Sequence, residues 1–109
     1  MRVIYKEPGK ESEVRNISNE LETLQELVGG YIEPVTLSAR LVLIVDEEGK
    51  QKKKEDNFYV PALHDMIVGP AIFVGVDEGG EEFGDISDED AMIVMQFLRW
   101  QADGMFDNL

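Results

Sequence analysis

The sequence predicts a single α+β domain, a mixed and mostly antiparallel sheet packed by two helices at about residues 19–29 and 88–102. Three observations predict it. Leu21, Leu24, Leu27 and Val28 recur at helical spacing and stop at Gly29-Gly30. Arg40–Asp46 and Ala71–Val76 are short runs, almost wholly apolar and rich in β-branched residues, as strands buried on both faces are. Ser87-Asp88-Glu89-Asp90 then opens a second helical pattern. An amphipathic helix has only one face to bury, so the strands must supply the other side of the core. At 109 residues the chain has room for one modest core, and residues 1–109 are read as one domain.

The elements follow in order. Arg2 to Lys6 alternates, with Val3 and Tyr5 on one side, and forms a first strand. Glu7-Pro8-Gly9-Lys10 is turn chemistry, because Pro fixes φ and Gly permits positive φ. Glu13 to Ile17 pairs back as the second arm of a hairpin. Ser18 or Asn19 is expected to cap the first helix, and Gly29 to end it in the left-handed conformation. Ile32 to Leu37 is a third strand, and Pro34 places it at an edge or at a strand start. Arg40–Asp46 is the central strand and Asp46–Lys50 its closing turn.

Gln51 to Asp56, with Lys52, Lys53 and Lys54, reads as an exposed, solvated loop. Asn57 to Pro61 is a short extended piece. Met66 to Val68 leads into the strand Ala71–Val76, with a bend at Gly69-Pro70. Asp77 to Asp85 is an acidic, Gly-rich turn. In the second helix Ser87 is the cap and the acids of the first turn favour the positive end of the dipole. Ala91, Met92, Met95, Leu98 and Ala102 give it an apolar face that Val94 and Phe97 broaden. Asp103-Gly104 stops it, and a short tail runs from Met105 to Leu109.

Charge is the unusual quantity. Ten basic residues against twenty-three acidic ones give a net charge of −13, which argues against direct binding to nucleic-acid phosphates. From Asp77 onward ten acids face Arg99 alone. The hydrophobic content of 43% is ordinary for a globular chain. No apolar run approaches the roughly 20 residues a bilayer span needs. The N-terminus turns polar too soon for a signal peptide, so a cytoplasmic site, in a bacterium or an infected host cell, is expected. There is no cysteine, hence no disulfide and no thiolate chemistry.

Little of the sequence carries catalytic chemistry. His64-Asp65 is the one place where a base and a carboxylate adjoin, and neighbours in a strand point to opposite faces. Ser18, Ser38 and Ser87 lack the context of an activated nucleophile. One His and no Cys do not assemble a zinc site, and no metal or other cofactor is expected. Asp77, Glu78, Glu81, Glu82 and Asp85 surround Gly79-Gly80 with oxygen ligands of the kind calcium takes. They lack the alternating EF-hand register, and a solvated acidic turn is the stronger reading. Gly29-Gly30 follows a helix rather than opening one, so it lies at the wrong end of the dipole to cradle phosphate.

At Val3-Ile4, Pro8-Gly9-Lys10, Leu24-Gln25, Val28-Gly29-Gly30-Tyr31-Ile32-Glu33, Asp65, Ile67-Val68-Gly69-Pro70-Ala71 and Phe73-Val74-Gly75 the chain resembles domain of unknown function 3846. These are small proteins of bacteria, their phages and other mobile elements. The resemblance covers most of the chain, implies that genomic setting, and brings no assigned activity or catalytic residue.

The function expected is therefore non-enzymatic. A small acidic binding protein of phage or mobile-element type would dock on a host or defence protein through its acidic C-terminal half. Glu82, Asp85, Asp88 and Glu89 would steer a basic partner, where the plainer reading is a solvated acidic surface, and Trp100 and Phe106, with Met105, would either complete the core or be apolar anchors. One version is mimicry of nucleic-acid charge. The alternative is a pocket for a nucleotide or metabolite between helix and sheet. No membrane partner is expected, and the chain is read as a monomer or homodimer.

Overall fold

The computed structural model describes residues 1–104. Six strands form one sheet: β1 (Arg2–Lys6), β2 (Glu13–Asn16), β3 (Ile32–Ser38), β4 (Leu41–Asp46), β7 (Ala71–Val76) and β8 (Phe83–Gly84). Two more, β5 (Asp56–Val60) and β6 (Asp65–Val68), pair only with each other. The helices are α1 (Leu21–Val28) and α2 (Asp88–Ala102). The order across the main sheet is β2-β1-β7-β4-β3, with β8 also paired to β7. Every pairing among the described residues is antiparallel. The fold is α+β, with the sheet in the middle layer.

Side-chain alternation divides the core in two. Val3, Tyr5, Val42, Ile44, Ile72 and Val74 point to one face and are covered by Leu24 and Val28 of α1. Ile4, Leu43, Val45, Ala71 and Phe73 point to the other. That second face is covered by Val94 and Leu98 of α2, by Phe58, Val60 and Ile67 of the β5–β6 hairpin, and by Ile86. Phe58 stacks on Phe73 with ring centres 5.6 Å apart and meets Phe97 edge-on at 6.3 Å. The double cover explains why β4 and β7 read as continuous apolar runs: neither face of the sheet centre meets water. Pro34 lies in β3, which is an edge strand, as a residue without an N–H requires.

Three expectations are corrected. α1 begins at Leu21 with Glu20 at the cap position and no side-chain cap bond, so neither Ser18 nor Asn19 caps it. The Asn19 amide instead donates to the Phe83 carbonyl at 2.9 Å and ties the helix entrance to β8. Leu21 is 56% exposed, which narrows the buried stripe to Leu24 and Val28, with Leu27 half-buried. Met66–Val68 belongs to β6 in the separate hairpin and does not run on into β7, because Gly69 at φ +73° and Pro70 turn the chain between two sheets.

In α2 the buried line is Val94 and Leu98, flanked by half-buried Ala91, Phe97 and Gln101. The helix is rolled so that Phe97 reaches Phe58, and Met92 and Met95 are turned outward. Ser87 caps it as expected, its hydroxyl accepting from the Asp90 N–H at 3.1 Å.

Gly75 has a plain steric reason. A Cβ there would collide with the Asp85 carbonyl where the chain between β8 and α2 crosses the sheet. That crossing is tied down on its other side, the Ile86 N–H donating to the Arg2 carbonyl at 2.9 Å.

Candidate functional site

The lysine loop was expected to be solvated, and it is a clasp instead. Asp46 ends β4 with its carboxylate wholly buried. Lys54 Nζ donates to it at 2.7 Å and Lys52 Nζ at 2.9 Å, and the Glu48 N–H donates at 2.9 Å. The same two lysines also reach the end of α1, Lys54 to the Val28 carbonyl at 2.7 Å and Lys52 to the Gly29 carbonyl at 3.2 Å. Those carbonyls lack partners within the helix and carry the negative end of its dipole, so cations suit them. Burial alone would raise the Asp46 pKa. The bonds from Lys54, Lys52 and the Glu48 N–H outweigh it and hold the group at about 2.

The clasp also accounts for the glycine pair. Gly29 has φ +81°, the left-handed cap expected of it. A Cβ on Gly30 would lie 2.5 Å from Asp46 Oδ1 and 2.6 Å from Lys52 Nζ. The Gly-Gly-Tyr-Ile-Glu junction is thus shaped by an ion triad centred on the buried Asp46 carboxylate. Its role is to lock α1 to β4, and it exposes no chemistry.

The outer face of α2 is different. Met92 is 73% exposed, Ile93 62% and Trp100 43%. At about 100° per residue these three fall on one side of the helix, opposite Val94 and Leu98. A shallow groove of about 410 Å³ adjoins them, lined by Val14 of β2 together with Ile86, Ala91, Met92 and Met95. Arg2 and Asp88 also line this groove, paired at 2.8 Å. The apolar surface is therefore larger than one helix face.

The acids expected to steer a partner divide into two kinds. Asp85 accepts the Arg2 N–H at 2.7 Å, and Asp88 pairs with the Arg2 guanidinium, which also donates to the Ile86 carbonyl at 2.7 Å. These two fasten β1 to the start of α2. Glu82 and Glu89 are exposed and have no ion pair among the described residues. Trp100 is exposed on the outer face, as an anchor must be. Phe106, also expected as an anchor, lies outside the described residues.

Sequence reasoning missed Ile93, and the signal was available. Met92-Ile93-Val94-Met95 is four apolar residues in a row. Four successive residues span most of a helical turn, so they cannot all face one core.

The remaining candidates are quickly placed. His64 has φ +49° and ends a 3₁₀ turn, its N–H donating to the Pro61 carbonyl at 3.1 Å. Asp65 is ion-paired with Lys50 and Ser38 Oγ accepts the Arg40 N–H, so neither meets His64. In the 77–85 turn Asp77 Oδ1 accepts from the Glu81 and Glu82 N–H groups, which lower its pKa. Among the described residues no three His, Cys, Asp or Glu side chains gather as metal ligands. No helix among them is long and apolar enough to cross a membrane.

The space between α1 and the sheet is filled by packed side chains. A cleft of about 650 Å³ lies elsewhere, between the β1–β2 turn, β5 and the C-terminal half of α2. Its floor includes Phe58 and Leu98, and Lys6 is buried in its wall with only 7% exposure. Burial lowers the Lys6 pKa from its ordinary value.

No curated protein and no solved structure matches the chain. Residues 1–100 match one family, described as Domain of unknown function (DUF3846). The match spans β1 through most of α2, including the clasp and the outer helix face, and ends just before Gln101, Ala102 and Asp103 of the cleft. The chain belongs to that family.

Proposed function

We propose that this is a non-enzymatic docking protein that uses the outer face of α2 and the adjoining groove to bind a partner protein with a basic rim and an apolar centre. The observation that carries the reading is the exposure of Met92, Ile93 and Trp100 together on one side of one helix. Exposed apolar side chains gathered on one side of a helix, here around the polar Gln96, are characteristic of interaction sites, and a Trp among Met and Ile has the composition of a binding hot spot. The partner's charge is argued from the first turn of α2, which carries Asp88, Glu89 and Asp90 at one end of the face, within a stretch, residues 77–90, of eight acids and no base. Opposite charge at the rim guides encounter, while the apolar centre holds the complex. Charge mimicry of nucleic acid fits less well, because from Ala91 to Ala102 the helix carries no acid. A bacterial cell, or one carrying a phage or mobile element, is the setting in which a host or defence protein would be that partner.

The electrostatic half of the reading has its own test, using a partner obtained by affinity capture. Association should slow steeply as salt rises, since exposed charges are screened within about 10 Å at 0.1 M. Glu82→Gln with Glu89→Gln should lower the on-rate, flatten its salt dependence and leave the off-rate nearly unchanged. These two are chosen because Asp85 and Asp88 also hold the fold together. An on-rate indifferent to salt and to both substitutions would leave the acidic region a role in solubility alone.

A further inference from the structure

The cleft beside the β1–β2 turn carries an independent reading. Of the ten Lys and Arg side chains, seven form ion pairs with carboxylates among the described residues. The other three are Lys6, Lys53 and Arg99, and two of these, Lys6 and Arg99, line the same cleft. On a chain of net charge −13 that is an unexpected place for two cations with no carboxylate partner among the described residues.

Lys6 is held there by neutral groups. Its Nζ donates to the Glu7 carbonyl at 2.7 Å and to Asn57 Oδ1 at 3.0 Å, which uses two of the three N–H bonds of an ammonium. Asn57 is fixed in turn, its Nδ2 donating to the Lys6 and Gly69 carbonyls at 2.9 and 2.8 Å.

A second observation points the same way. Gln101 lines the cleft, and its Nε2 is buried with no hydrogen-bond partner among the described residues. The amide orientation is set by the other end, where Oε1 accepts the Tyr59 N–H at 3.1 Å. A buried donor without an acceptor is uncommon in a folded protein and calls for one.

We infer that this cleft binds a small organic carboxylate, received by Lys6 Nζ, Arg99 and Gln101 Nε2, with its apolar body on Phe58, Leu98 and Met95. The volume of about 650 Å³ is within the range of small-molecule sites. The charge of the lining selects a monoanion. Lys6 and Arg99 face Glu11 and Asp103, and Lys10 is already paired with Glu7 at 3.0 Å, so the lining holds no surplus of positive charge for a second negative charge. A phosphate dianion would exceed that balance. The site shares only Met95 with the groove beside the outer face of α2 and none of the polar groups invoked here, so it stands whether or not the docking reading does.

The test is titration of the full chain with benzoate, benzyl alcohol and phenyl phosphate, followed by calorimetry and by backbone amide shifts. Benzoate should bind saturably and shift the amides of Asn57, Leu98 and Gln101. Benzyl alcohol, which keeps the ring and lacks the charge, should bind at least about tenfold more weakly, as should benzoate to Arg99→Gln. Arg99 is exposed, so that variant keeps the fold. Lys53→Gln removes the same charge away from the cleft and should leave benzoate affinity unchanged. Absence of saturable benzoate binding would overturn the inference. So would equal affinity for benzoate and benzyl alcohol, or equal losses in Arg99→Gln and Lys53→Gln. Tighter binding of phenyl phosphate than of benzoate would overturn the assignment of a monoanion.

Discussion

Asp46→Asn should lower the unfolding free energy at neutral pH by about 3 kcal/mol, the lower end of the range for breaking a buried ion pair. The lower end applies because Lys52 is 40% exposed and turns to water when its partner is lost. Lys54 is more enclosed and continues to hold the Val28 carbonyl, so the helix end does not come free at once. The pH dependence is the sharper signature. Asp46 titrates at about 2 in the folded protein against an ordinary 3.8, so its charged form is favoured by folding. That preference contributes about 2 kcal/mol, fully present above about pH 4 and lost as pH falls through about 2. Urea melts of wild type and variant should therefore differ most at neutral pH and converge as the pH is lowered from about 4 to 2. A gap of constant size across that window would mean that the carboxylate is not held as described.

Leu24→Ala should cost about 2–5 kcal/mol, the loss of a buried side chain plus the cavity left behind. Leu24 and Val28 are the only fully buried residues of an eight-residue helix, and they are its main contribution to the cluster of Val42, Ile44, Ile72 and Val74, which Ile17, Ile32 and Phe83 flank. A helix so short has almost no stability of its own, so the cavity loosens α1 as a unit. Leu21→Ala on the same helix is the comparison. Leu21 is exposed, and its substitution should fall within about 0.5 kcal/mol of wild type. Chemical denaturation of the two variants checks both values, and similar losses would show that the buried line of α1 has been misplaced.

Much of the fold was legible because local signals and burial agreed. β4 and β7 read as buried strands since both faces are covered, and Gly29 ended α1 with the expected left-handed φ. Pro34 pointed to an edge and Ser87 to a helix start. What was not legible depends on contacts distant in sequence. Lys52 and Lys54 look like solvated charges until Asp46 and the end of α1 are brought beside them. The separation of β6 from β7 follows from β5 pairing back on β6, which no pattern within Met66–Val68 reveals. The roll of α2 is set by Phe97 against Phe58, and it decides which apolar residues are left outside.

The candidate site was legible in kind and not in detail. Composition gave the acidic region, while Trp100 was open between completing the core and serving as an exposed anchor, and the structure leaves it exposed. Two of its acids, Asp85 and Asp88, prove to be tied to Arg2, and the apolar centre is built from Met92 and Ile93 as well as Trp100. A pocket between helix and sheet was the alternative reading, but the residues of this cleft were not legible, because Lys6, Asn57, Arg99 and Gln101 are widely spaced in sequence and meet only when α2 packs beside β5.

The docking reading stands or falls on one comparison: proteins captured from a bacterial lysate by the wild-type chain, by Ile93→Glu with Trp100→Glu, and by Leu21→Glu with Tyr31→Glu. Both pairs start from exposed apolar residues and change the net charge equally, so folding and non-specific adhesion are matched. A partner with a basic surface should be retained by wild type and by the Leu21/Tyr31 variant, and lost with the Ile93/Trp100 variant while its melting temperature holds. Loss of the partner from both variants, retention by both, or no protein specific to the wild-type chain would contradict a role for the outer face of α2.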